Sequence, residues 1–155
     1  MLVTAYDPGE TTGFVIVRSG DWPPELVTSS VLTSPLHILD SFAIIKDSGT
    51  LTEGLVIIIE DFRLYAGYSR TMINNRFEPV KVIGQIELLA NMAGISECLT
   101  YQMASCKTGF PNSLLTELGY QLKGVSIHER DALRHALYWT ANHLGLSKRT
   151  QYKSE

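Results

Sequence analysis

The chain has 155 residues, 45% of them hydrophobic and 19% charged, which fits one folded domain and excludes an intrinsically disordered chain. Its formal net charge of −3 and pI of about 5.8 exclude a uniformly basic nucleic-acid coat, but not a DNA-acting protein whose positive charge is local. No apolar run approaches the ~18–20 residues of a membrane span, the N-terminus lacks the layout of a signal peptide, and Cys98 and Cys106 are too far apart for a C-x-x-C motif. A reduced, cytoplasmic protein without a membrane segment is therefore expected, with one domain over 1–146 and a polar tail over 147–155.

Taken in chain order, the pattern alternates strands and helices. Leu2 to Tyr6 is a β-type run ending at the turn signal Asp7-Pro8-Gly9, and Gly13 to Val17 is its hairpin partner. A third strand over Leu26 to Leu32 follows the Pro23-Pro24 break, which makes an antiparallel meander. Leu36 to Asp47 reads as a helix from Leu36, Leu39, Phe42, Ala43 and Ile44. Leu55 to Ile59, five large apolar residues without alternation, suits a central strand buried on both faces. Val80 to Met92 returns to helical spacing, with Gly94 placed to end it. Glu97 to Tyr101 reads as a fifth strand, and Arg130 to Leu144 as a last helix stopped by Gly145. The sum is an α/β domain with a five-stranded sheet flanked by helices.

The chemistry lies at the ends of these elements. Asp7 closes the first strand and Glu60 the buried fourth, while His128 and Asp131 sit at the start of the last helix. Residues three apart lie about 60° apart around a helix, so His128 and Asp131 share a face. Strands ending side by side in an α/β sheet place their terminal side chains in one crevice. Singly, each residue also has a plain reading: Asp7 as a turn residue, His128 and Asp131 as groups complementing the helix dipole. Together they form an oxygen-rich, self-repelling set that calls for a cation, Mg²⁺ or Mn²⁺ by ligand chemistry. Two such ions about 3.5–4 Å apart hold the attacking and leaving oxygens of a phosphodiester.

The run Val3 to Gly9 with Thr12-Gly13 resembles the first-strand motif of RuvC-like Holliday junction resolvases. Val56 to Glu60 resembles their acid-ended central strand, and His128-Glu129-Arg130-Asp131-Ala132 with His135-Ala136 their last-helix motif. The resemblance implies a ribonuclease-H-like fold with a mixed sheet and a metal-binding catalytic quartet at Asp7, Glu60, His128 and Asp131. It further implies a homodimer that makes paired nicks in four-way DNA junctions. Between Lys107 and Gly124 only Lys107, Thr108 and Gly109 match the family. The small size and sparse basic residues fit a phage version acting in the host cytoplasm.

Downstream of Glu60, Arg63, Arg70, Arg76 and Lys81 alternate with Phe62, Tyr65, Tyr68 and Phe77. Guanidinium groups hold phosphates and rings stack on unpaired bases, so this segment and Lys107 are the expected DNA contacts; an ordinary solvated loop is the competing reading. The helix over Val80 to Met92 is the expected dimer interface, unless its stripe faces only its own core. Asp7-Pro8-Gly9 with Thr11-Thr12-Gly13 also resembles the phosphate-binding turn of sugar kinases and actin-like ATPases. Those need a second domain to close over the nucleotide, so no nucleotide cofactor is expected. A nuclease for flaps or RNA–DNA hybrids, or a non-catalytic module of the same fold, are the remaining alternatives.

Overall fold

The computed structural model describes residues 1–47, 54–62 and 77–146. Three strands open the chain: β1 (Leu2–Asp7), β2 (Thr12–Arg18) and β3 (Glu25–Leu32) form the expected antiparallel meander. After helix α1 (Pro35–Asp47), strand β4 (Leu55–Asp61) pairs parallel with β1. Helix α2 (Glu78–Met92) and a 3₁₀ turn at Ser96–Cys98 lead to β5 (Leu99–Met103), which pairs parallel with β4. The mixed sheet runs β3-β2-β1-β4-β5. A second 3₁₀ turn (Ala104–Gly109), a short helix α3 (Asn112–Glu117) and the long helix α4 (Ile127–His143) complete the described chain.

Strand alternation sends successive side chains to opposite faces. Tyr6, Phe14, Ile16, Ile57 and Ile59 face α1 and α2, while Val3, Ala5, Val15, Val17 and Ile58 face α4. Because both faces are covered, every residue of β1 is buried, the polar Thr4 and the terminal Asp7 included. The C-terminus of α2 closes as expected: Gly94 takes φ +69°, and the Ile95 and Gly94 amides donate to the carbonyls of Ala90 and Asn91.

Four elements differ from the sequence reading. Helix α1 is rotated from its expected phase: Ile38, Ser41, Phe42 and Ile45 are buried, whereas Leu36, Leu39 and Ile44 are exposed. Ile38, Phe42 and Ile45 set this stripe at helical spacing, and Ser41, polar in sequence, is satisfied inside it, where its hydroxyl meets Tyr6 Oη at 2.7 Å and donates to the Ile38 carbonyl. Helix α4 begins at Ile127, not Arg130, because Ser126 and Glu129 form a reciprocal capping box. Strand β5 starts two residues later than expected, since Ser96–Cys98 form the 3₁₀ turn. Helix α3, too short for a periodic signal, was not expected at all. The proposed tail, 147–155, lies outside the described residues.

Candidate metal centre

Asp7 ends β1 and Glu60 stands near the end of β4, one position beyond the parallel Tyr6/Ile59 pair. The two carboxylates thus reach the same edge of the sheet. Helix α4 crosses this edge, and His128, Asp131 and His135 fall on one stripe at spacings of three and four. The crossing depends on Gly13, the antiparallel partner of Asp7. A Cβ there would lie 1.9 Å from the His128 carbonyl oxygen, so only glycine lets the first turn of α4 approach the strand.

Lys107, from the turn after β5, occupies the centre of the cluster. Its ammonium donates to Glu60 Oε2 at 2.7 Å, Asp131 Oδ2 at 3.1 Å and Asp7 Oδ1 at 3.2 Å. His128 Nδ1 lies 3.2 Å from Asp7 Oδ2. His135, wholly buried, sits between Glu60 Oε2 and Gln102 Oε1, at 2.8 Å from each. Arg134 binds the second oxygen of Asp131 and ties it to the α3 region through the Phe110 carbonyl and Asn112 Oδ1.

The electrostatics are those of a crowded anionic site. Burial, reinforced by the Glu60 carboxylate, raises the Asp7 pKa from 3.8 to about 6. Burial acts upward on Glu60 too, but hydrogen bonds from His135, Asp7 and Lys107 outweigh it and hold that carboxyl at about 2. The same carboxylates push the Lys107 ammonium above its ordinary range despite its own burial. Three carboxylates therefore already hold a cation in a multidentate grip, and the donor set is the oxygen-rich kind that suits Mg²⁺ or Mn²⁺. Asp7, Glu60 and His135 also present ligand atoms within 4.8 Å of one another.

Of the expected quartet, Asp7, Glu60 and Asp131 come together around Lys107, and His128 joins them through Asp7. Lys107 itself, expected on DNA, is turned inward onto them. Lys81 is on the exposed side of α2 and pairs with Glu78 at 2.8 Å. Phe62 is half-buried just past β4, and Phe77 caps α2 with φ 45°. Arg63, Tyr65, Tyr68, Arg70 and Arg76 lie outside the described residues. His135, Gln102, Arg134 and Gly13 have no role that the sequence alone assigns. His135 and Arg134 were within reach of helix spacing from His128 and Asp131. Gln102 needed the pairing of β5 with β4, and Gly13 needed the path of α4.

No family model matches the chain, and no curated protein matches it. Among solved structures it has the mixed α/β, ribonuclease-H-like fold. One similar structure is that of T. thermophilus RuvC in complex with a Holliday junction substrate, with a TM-score of 0.62 over 94% of this chain and 96% of that one, at 18% sequence identity. At that identity the likeness is one of fold.

Proposed function

We propose that this protein is a metal-dependent endonuclease that cleaves branched DNA, with four-way junctions as its preferred substrate. The observation that carries the reading is the gathering of carboxylates from β1, β4 and α4 around one cation at 2.7–3.2 Å. Asp7, Glu60, Asp131 and His128 are the residues that would hold divalent metal, two ions by the chemistry of phosphodiester hydrolysis, which supply an activated water and neutralise charge on the phosphate. Lys107 then has a defined part. In the metal-free protein its ammonium screens the carboxylates from one another, and once displaced by a stronger cation it is free to offer its charge to the DNA phosphate beside the site. His128 keeps an imidazole nitrogen on Asp7, and Arg134 keeps Asp131 from swinging away. The fold likeness to a junction-bound RuvC supports the choice of branched DNA.

Paired nicks require two such sites, and we assign the twofold partner to α2. Its outward side carries Val80, Leu88 and Met92, 51%, 59% and 77% exposed. Gly84 lies between them with open space over its Cα, which lets a second backbone come close. No described helix is long and apolar enough to cross a membrane; with DNA as the proposed substrate, the cytoplasm of a bacterium or a phage host is the proposed site of action. The deciding experiment compares cleavage of four-way junction, flap, linear duplex and RNA–DNA hybrid with Mg²⁺, Mn²⁺ or chelator, with Asp7→Asn as control. Metal-dependent, symmetric cuts in the junction are expected. Cleavage of the hybrid alone would reassign the protein to ribonuclease H chemistry, and no cleavage of any substrate would leave a binding module.

A further inference from the structure

We propose that His135 is a positioning residue that fixes the orientation of the Glu60 carboxylate for metal, and that Gln102 in turn fixes the His135 ring; this rests on the site being the metal centre proposed above. The geometry is a clamp built across the sheet. Glu60 and Gln102 are direct partners in the β4–β5 pairing, and the His135 ring is inserted between their side chains at 2.8 Å on either side. An ionised carboxylate only accepts hydrogen bonds, so the His135 Nε2 must carry the proton that points at Glu60 Oε2. A nitrogen committed in this way does not offer its lone pair to a metal. His135 is therefore set apart from His128, which is 40% exposed at its side chain on the open side of the cluster.

Packing alone does not explain the residue. The other inward positions of this stretch of α4 are Ala132, Leu133, Ala136 and Leu137, and an apolar side chain at 135 would join them without needing partners. A buried imidazole is tolerated only where both ring nitrogens are satisfied. With Nε2–H on Glu60, Nδ1 is left as an acceptor, and the Gln102 amide turned to present its NH2 donates to it; both ring nitrogens then have a partner, and one of these, Glu60, belongs to the candidate metal site. A glutamate at a strand end otherwise samples several rotamers, and holding it in one removes an ordering cost from metal binding.

The test uses the full chain, with Mn²⁺ alone as the probe in titration calorimetry, junction cleavage for kcat and KM, and thermal melting in chelator. His135→Leu is expected to weaken Mn²⁺ binding by about 10–100-fold and to lower kcat with little change in KM for junction. His135→Gln, whose amide nitrogen can take the place of Nε2 toward Glu60, is expected to return both to within a few-fold of wild type. Gln102→Leu should act in the same direction more weakly and add nothing in the His135→Leu background. If His135→Leu does not fold, Gln102→Leu and His135→Gln carry the comparison by themselves. Wild-type Mn²⁺ affinity in His135→Leu or in Gln102→Leu overturns the clamp. His135→Gln as impaired as His135→Leu would make His135 a ligand and also overturns it. A wild-type chain that neither binds Mn²⁺ nor cuts DNA defeats the nuclease reading and this proposal together, whereas an active wild type beside an unimpaired His135→Leu defeats the proposal alone.

Discussion

Replacing Asp7 by Asn removes one negative charge from a crowded cluster of carboxylates at nearly constant shape. Burial and the neighbouring Glu60 lift the Asp7 carboxyl from 3.8 to about 6, and at 1.36 kcal/mol per tenfold that displacement sets an upper bound of about 3 kcal/mol on the cost of keeping it ionised. Asn still accepts from Lys107 but more weakly than a carboxylate, so the net gain in the metal-free protein is expected to be about 1–2 kcal/mol. For a domain of this size that raises Tm by roughly 3–6 °C. The pH dependence has a definite sign. A carboxyl whose folded pKa is raised binds more protons in the native state, so its contribution is fully present below about pH 4 and is lost as pH rises through about 6. Melting in chelator should therefore show a decline for wild type across that window which Asp7→Asn lacks, while junction cleavage with Mg²⁺ falls by at least about 100-fold, on the scale of losing a transition-state electrostatic contact. An Asn variant that melts lower than wild type at pH 7.5, or that cleaves at near the wild-type rate, refutes the assignment of Asp7.

Lys107→Met leaves three carboxylates without their shared cation, so it should lower Tm in chelator by several degrees; added Mn²⁺ should then raise Tm more than it does for wild type, and an equal or smaller rise would show that the ammonium does not stand in the cation's place. Gly13→Ala, remote from any ligand in chemistry, should nonetheless cut activity at least about tenfold, because its Cβ would fall 1.9 Å from the His128 carbonyl oxygen; full activity with an unchanged Tm would mean that α4 does not sit where described. His128→Asp should retain metal-dependent cleavage while His128→Ala needs more metal, and equal loss in both at saturating Mn²⁺ would argue against a ligand role. Met92→Lys with Leu88→Lys should convert a dimer to a monomer in light scattering and uncouple the two nicks, and a dimer that survives both changes would remove α2 from the interface.

Local signals carried most of the fold. The Asp-Pro-Gly turn, the apolar run from Leu55 to Ile59 and the glycines at 94 and 145 each act within a few residues, and each is found where the pattern puts it. The convergence of Asp7, Glu60, His128 and Asp131 was also legible, because strand ends and helix starts in an α/β sheet meet by topology. What was lost depended on partners far away in the chain. Ser41 reads as a surface residue until Tyr6, 35 positions earlier, is brought against it. His135 reads as an unassigned histidine until Gln102 and Glu60 bracket it across 33 and 75 positions. Lys107 reads as a DNA contact because a lone lysine in a loop offers no sign that three acids surround it.

The net charge of −3 bears differently on DNA binding once these partners are known. Asp7, Glu60 and Asp131 share one small volume with Lys107 and Arg134 as counter-charges. Two divalent ions in that volume would bring four positive charges, enough to turn the site from net negative to net positive where, on the proposed reading, a phosphate approaches. On the proposed reading, the site without metal would repel DNA backbone and a loaded one would attract it, so affinity at the scissile phosphate would follow metal occupancy. Affinity for junction DNA should accordingly rise with Mn²⁺ in wild type, and rise much less in Glu60→Gln, whose weakened grip admits less metal. In Asp7→Asn without metal, binding should exceed that of metal-free wild type, because one repelling charge is gone. Titrations by fluorescence anisotropy at fixed ionic strength measure all three, and a wild-type affinity indifferent to metal would break the link between the two sets of charges.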